Sequence, residues 1–408
     1  MHAKCCVLEE TQEMLDIKLL MQGKKQITNN LILSLVKKCT ETKDVAAGKQ
    51  ICSLVMSSKC CLSTFVYDYL IRMLAVLGHL SEANITFRNV LTPSIYTWNA
   101  IISAHVTHRD NAGALSLYYE MKKKGFLPDI VTFICILKAC CNMEILRQGM
   151  VIHEQIIRGG FEPDLILGNE LLDMYCKRGR LDEARKVFDA LEKHDVVSWG
   201  TIIAGYVQHG QSHKALRCFE QMQHEGLSPN TITFVSLLNA CGIIGAIEKG
   251  KEAHNEIICK GCFCGTCIET CIKLGTALVD LYVKCGLLLE ARRVHDELPI
   301  RDVVTWNALI GGYVQQGRGY EALNCFECMQ SEGLSPNVVT STCILKACAC
   351  VGDIDKGERT HKEVVSMGWL HKDIMLGNAL VDMYAKCGML IKAHEVLKEL
   401  PIRNTVTW

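Results

Sequence analysis

The chain has 408 residues, 49% hydrophobic and 22% charged, a composition that suits a folded protein with an extended core and excludes a disordered or collagen-like chain. Lys plus Arg and Asp plus Glu both number 44, so no global basic surplus announces a polyanionic partner, and any affinity for nucleic acid must come from one organised face. The 24 Cys lie in a long chain without a signal-peptide pattern, which argues against a small secreted disulfide scaffold and for a reducing compartment; charges or Gly interrupt every apolar stretch before the roughly 18 residues of a membrane span.

Residues 1–28 are expected to be a poorly ordered segment or a partial repeat. Met1 to Lys25 contains Glu9, Glu10, Glu13 and Asp16 and no Arg, the opposite of an Arg-rich, acid-poor transit peptide. Targeting is therefore expected to lie in a missing N-terminus or not to be encoded here.

From Asn29 onward the chain repeats. "IYTWNAIISAHV" at Ile95 returns as "VVSWGTIIAGYVQHG" at Val196 and "VVTWNALIGGYVQQG" at Val303, and "TVTW" at Thr405 opens a further copy. Each of these standard units is followed by a long one carrying "ILKACC" (Ile136–Cys141), "LLNACG" (Leu237–Gly242) or "ILKACA" (Ile344–Ala349), then His153, His254 or His361. A short unit comes next, with "LGNELLDMYCKRGRLDEARKVFD" at Leu167 and echoes at Leu274 and Leu376. The period is thus a triple of about 35, 35 and 31 residues. In chain order the array 29–404 comprises 29–63, 64–94, 95–129, 130–164, 165–195, 196–230, 231–271, 272–302, 303–337, 338–373 and 374–404, and 405–408 is the truncated start of another unit.

Each unit is predicted to be two helices. In the Val303 unit Trp306, Leu309, Ile310, Tyr313 and Val314 fall at i, i+3, i+4, i+7 and i+8, an amphipathic stripe. Gly317 suits a helix stop; Ala322, Phe326 and Met329 give the second helix its face, and "GLSPN" (Gly333–Asn337) breaks it. A lone hairpin cannot bury such a stripe, so neighbours must stack. The expected fold is all-α, a right-handed α-solenoid of helix-turn-helix repeats.

The ordered triple, with "TWNAxI…GY", "LKAC…G…H" and "LGNxLxDMYxKxG", resembles the PLS subclass of pentatricopeptide repeat proteins over nearly the whole chain, from Asn29 to Trp408. The resemblance implies a reader of single-stranded RNA in which the fifth and last residues of a repeat face the edge of one base. Carried over residue by residue, the pairs are Asn99 with Asp129, Asn169 with Asp195, Gly200 with Asn230, Thr276 with Asp302, Asn307 with Asn337, and Asn378 with Asn404. The family's base-stacking second residues correspond to Tyr96, Ile166, Val197, Val304 and Met375, with Lys273 departing from the pattern. Lys177, Lys284 and Lys386, at the thirteenth position of short units, are candidate phosphate contacts. The long units carry Leu33, Ile134, Val235 and Thr342 at the fifth position and are expected to act as spacers, while Asp68 with Ser94 fits no strong pairing. With the family's pairings the implied target is 5′-N-N-U-N-U-(A)-N-G-Y-N-Y-3′.

No metal or cofactor is expected. The recurrent His153, His254 and His361 share one register position, which indicates packing rather than ligation. His254-Asn255-Glu256 with Cys259 and Cys262 is too compact for a zinc deaminase, whose cysteines come from a separate helix. Cys259, Cys262, Cys264, Cys267 and Cys271 lie in the one long unit that has grown, and their tight, irregular spacing is expected to be an insertion loop with free thiols rather than a zinc site. The resemblance implies a non-enzymatic site-recognition factor on mitochondrial or chloroplast transcripts, with no membrane and no small-molecule substrate, in which C-to-U editing would require a deaminase or other factor in trans. Alternatives are stabilisation, splicing or translation of RNA without editing, and a protein-binding helical scaffold.

Overall fold

The computed structural model describes residues 28–57, 63–161, 164–261, 267–370 and 373–400; the expected disorder of residues 1–27, the thiols of Cys262 and Cys264, and Asn404 lie outside them. Among the described residues there are 22 helices and no strand. The chain divides into two compact units, Met1–His194 and Asp195–Trp408. The first holds five hairpins, whose leading helices are Asn29–Thr42, Thr64–Val76, Ile95–Thr107, Ile130–Asn142 and Leu165–Lys177. The second holds six, led by Val196–Gln208, Thr231–Ile244, Ile268–Lys284, Val303–Gln315, Val338–Val351 and Ile374–Lys386. Within each unit consecutive leading helices pack on one another and on their own second helices, so the fold is an α-solenoid of stacked hairpins.

Helix starts follow from side-chain caps. Asp129, Asp195 and Asp302 accept the amides of Thr132, Ser198 and Thr305 at 2.8, 2.8 and 2.9 Å, and the hydroxyls of those residues accept the cap's own amide. Such a capping box satisfies two amides that the helix cannot, each cap being worth about 1 kcal/mol. One leading helix departs from the expected register. It begins at Ile268, four residues before Ile272, because Cys271 supplies no capping oxygen there and the helix runs back to Cys267. Glu269 and Lys273 pair at 2.6 Å along the added turn, so the expected insertion loop is partly helix. Helix stops use the left-handed region: Gly317 has φ 70° as its predicted role requires, whereas at the same register position Arg109 holds φ 59°.

The predicted stripe is the core. Trp306, Leu309, Ile310 and Tyr313 are buried, as are Ala322, Phe326 and Met329 of the following helix, while Val314 is partly exposed. Leading helices approach closely where a side chain is missing: a Cβ on Gly312 would lie 2.5 Å from a methyl carbon of Val283. The three recurrent histidines pack as expected, and each Nδ1 lies 2.9 Å from a tyrosine hydroxyl on the next leading helix: His153 with Tyr175, His254 with Tyr282, His361 with Tyr384. These bonds tie each long unit to the short unit after it.

Candidate nucleic-acid interface

The second residue of a leading helix lies in its first turn, before the buried stripe begins, and points to solvent. In the first unit Phe65, Tyr96, Val131 and Ile166 are 55, 64, 49 and 62% exposed. In the second, Val197, Ile232, Val304, Val339 and Met375 are 53, 64, 53, 55 and 59% exposed, and Lys273 occupies the equivalent place, paired with Glu269. Apolar side chains exposed at one register position form, within each unit, a row on which flat groups can lie. Sequence reasoning assigned the stacking role to standard and short units and left out Phe65 of the short unit 64–94; Val131, Ile232 and Val339 of the long units hold the same exposed position, and that common position was the available signal.

Fifth and last residues meet in two of the expected pairs. Asn99 is buried, and its Nδ2 donates to both oxygens of Asp129 at 3.0 Å while its Oδ1 accepts the Thr132 hydroxyl at 2.6 Å. Asn307 repeats this, donating to Asn337 Oδ1 at 3.2 Å and accepting from Thr340 at 2.7 Å. The last residue therefore does two things at once, since Asp129 and Asn337 are also the caps of the following helices. Two pairs differ. The Thr276 hydroxyl donates to Ile272 of its own helix at 2.9 Å, while Asp302 caps Val303–Gln315. Gly200 brings no side chain, and Thr233 keeps only its donation to Asn230 at 3.0 Å, a contact that Thr132 and Thr340 also make with Asp129 and Asn337. Asn169 is partly buried on the Leu165–Lys177 helix, and Asp195 caps Val196–Gln208. Asn378 is partly buried on Ile374–Lys386. The odd fifth residue Asp68 is buried, and burial pushes its carboxyl pKa up against the Thr97 hydroxyl and Arg72, which pull it down.

Lys177, Lys284 and Lys386 each pair with the aspartate one turn earlier, Asp173, Asp280 and Asp382, at 2.6, 2.6 and 2.9 Å. These pairs are largely exposed, hold little free energy and can be exchanged for another anion. Among the described residues no group of three or more His, Cys, Asp or Glu could hold a metal ion, and no helix is long and apolar enough to cross a membrane. Burial drives the Cys176 and Cys348 thiols up to about 12 and those of Cys241 and Cys325 up to about 11. Cys267 is the contrast: exposed at a helix start, it has its pKa lowered by the nearby amide and hydroxyl of Thr270 and the amide of Glu269.

The profile described as "PPR repeat family" matches residues 93–142, 194–242 and 301–350, and that described as "PPR repeat" matches 169–196, 232–262, 276–303 and 378–404. A chloroplastic pentatricopeptide repeat-containing protein of Arabidopsis thaliana is 33% identical over 390 residues, covering 95% of this chain and 61% of the relative. A mitochondrial one from the same plant is 31% identical over 406 residues, covering 99% and 58%. The chain thus spans about three-fifths of the length of such relatives. Among solved structures, yeast Rmd9p in complex with a 16-nucleotide target RNA superposes with a TM-score of 0.50 at 11% identity, covering 90% of this chain and 87% of that one; the pentatricopeptide repeat protein PPR10 from maize gives 0.48 at 18% identity, covering 97% and 74%. With capped helical hairpins in series and both repeat profiles matched along it, the chain belongs to the pentatricopeptide repeat family.

Proposed function

We propose that the chain binds single-stranded RNA and selects a site on an organellar transcript, base by base, without chemistry of its own. The observation that carries the reading is the amide–carboxylate pair of Asn99 and Asp129, held at 3.0 Å beside the exposed side chain of Tyr96. A base lying on the second residue would present its edge to a pair that offers an N–H donor and a carboxylate acceptor. Uracil, with an acceptor O4 beside a donor N3–H, complements that pair; an Asn–Asn pair such as Asn307 with Asn337 offers a second amide instead. Relatives named as chloroplastic and mitochondrial, and the yeast neighbour solved with its target RNA, support this reading. The PLS-type triple order supports a role in C-to-U editing, with the deaminase acting in trans.

The test uses the Thr276 and Asp302 pair. A carboxylate at 302 suits the N1–H and N2–H donors of guanine, whereas an amide suits adenine, which presents one donor and one acceptor. Asp302→Asn keeps the helix cap, as Asn230 and Asn337 do in their own units. The substitution is expected to move that repeat's preference from G toward A by about 1–3 kcal/mol, the worth of a bidentate base contact. Equal G-to-A binding ratios for parent and variant, measured on oligonucleotides differing at that base alone, would refute base reading at this repeat.

A further inference from the structure

The indole N–H groups of Trp199 and Trp306 donate to carboxylates in the turn after the second helix of their units, Glu225 at 2.9 Å and Glu332 at 3.0 Å. Glu332 also receives Arg301 at 2.7 Å. In the Ile95 unit the register places Lys124 where those glutamates stand, and Pro93 where Arg301 stands. The charge is reversed. Trp98 is fully buried and its Nε1–H has no acceptor, a destabilising state that the two sister units avoid. The Lys124 ammonium lies over the Trp98 ring, 5.1 Å from its centroid, and pairs with Glu120 at 2.8 Å. The lysine and glutamate side chains are 52 and 47% exposed, so a rotamer change suffices to swing the lysine stem off the indole.

Behind Phe87, Lys124 and Phe126, which pack on this indole, a cavity of 820 Å³ opens among the Leu80–Arg88 and Asn111–Lys123 helices and the segment joining the former to Ile95. Arg88, Leu91, Pro93, Leu117, Lys124 and Phe126 line it, and Phe126 lies against Trp98, ring centroids 6.0 Å apart. Leu91 at the rim is 97% exposed. Two cations against one carboxylate, Glu120, leave the walls net positive, and the exposed leucine and proline add an apolar rim.

We propose that this cavity docks an acidic peptide from a partner protein: a glutamate side chain delivers its carboxylate to Trp98 Nε1–H, within reach of Lys124 and Arg88, while a flanking apolar residue covers Leu91. The partner supplies from outside what Glu225 and Glu332 supply from within. A carboxylate is favoured over an RNA phosphate because the same indole takes a carboxylate in both sister units. The cavity is also built on second helices, away from the leading-helix residues that form the candidate base-reading row. The inference does not depend on base reading.

The experiment follows the indole N–H resonances of the full chain, which has five tryptophans, with Trp98 assigned by loss of its signal in Trp98→Phe. The probes are an acetylated, amidated Gly-Leu-Glu-Gly-Leu peptide, its Gln counterpart, and an oligouridylate. The Glu peptide is expected to shift the Trp98 signal saturably at millimolar concentration, leaving Trp199 and Trp306 in place, and the Gln peptide to bind about tenfold more weakly, the ratio between a charge-assisted and a neutral hydrogen bond. Lys124→Glu, which installs the sister units' internal partner, is expected to shift the Trp98 signal in the same direction without peptide and to abolish the peptide response. Equal responses to the two peptides, or none to either, overturn the proposal. A Trp98 shift with oligouridylate that competes with the Glu peptide assigns the cavity to nucleic acid instead.

Discussion

Replacing Tyr282 by Phe removes one hydroxyl and keeps the ring. His254 is buried, and its Nδ1 loses the hydroxyl partner that sits 2.9 Å away; the edge-to-face contact of the rings, 5.7 Å between centroids, survives in Phe. Leaving a buried donor or acceptor unsatisfied costs about 1–3 kcal/mol, and with the ring contact intact the expected loss is about 1–2 kcal/mol, a factor of roughly 5–30 in the local opening equilibrium. In a stacked array that loss stays with nearest neighbours. Hydrogen–deuterium exchange should therefore speed up by that factor in the Ile247–Cys259 and Ile268–Lys284 helices and stay unchanged in Val338–Val351 of the same unit. Acid adds a second reading. Burial holds the His254 pKa below the ordinary imidazole range. Above that range both folded and unfolded states are neutral and the histidine adds no pH dependence. As the pH falls through it, the unfolded chain takes up a proton that the folded chain refuses, so stability drops until the lower folded pKa is reached. In the tautomer with an unprotonated Nδ1 the tyrosine hydroxyl donates and favours the neutral imidazole, so for that tautomer Tyr282→Phe should also shrink this acid-induced loss. Unchanged exchange in both helices, or an equal rise throughout the unit, would refute the reasoning.

Gly312→Ala places a methyl 2.5–2.6 Å from both Val283 methyl carbons and should destabilise the second unit by about 1–3 kcal/mol, with Val283→Ala in the same chain recovering most of the loss in urea denaturation. Replacing Lys177, Lys284 and Lys386 together by Gln removes only exposed ion pairs and should change stability by less than about 1.5 kcal/mol in total. If all three contact phosphates, the slope of log affinity for single-stranded RNA against log salt falls by about 2; an unchanged slope removes them from the interface. Iodoacetamide at neutral pH should label Cys267 before Cys176, Cys241, Cys325 and Cys348, whose buried thiols are held at about 11 to 12. Mass spectrometry of early time points checks the order.

Most of the fold was legible because the signals were local and repeated. A cap residue before most leading helices and a glycine after most of them mark the helix ends, and a 3.6-residue stripe says which side is buried. Reading failed where a local signal was missing: with Cys271 in the capping place, nothing in the residues before Ile272 showed that the helix would run back to Cys267. The candidate site was legible as positions but not as bonds. That Asn99 would hold both oxygens of Asp129 while Thr276 turns to its own backbone depends on packing between helices about thirty residues apart. The unpartnered indole of Trp98 was equally invisible, since it shows only when Lys124 is set against Glu225 and Glu332 in three dimensions.

The residue that closes one repeat is also the residue that starts the next helix. Asp129, Asp195, Asn230, Asp302 and Asn337 all accept an amide from the third residue of the following helix, and a side chain unable to do so forfeits about 1 kcal/mol per junction. This position therefore favours the few residue types that cap, Asp, Asn, Ser and Thr; where Cys271 stands instead, the helix start moves back to Ile268. If bases are read there, the vocabulary of the array has an upper limit set by helix architecture rather than by nucleic-acid chemistry. A designer wishing to respell the target can exchange these few residues freely, but a Lys, Gln or aromatic at the same place would unpick the joint that holds two repeats together before it met a base.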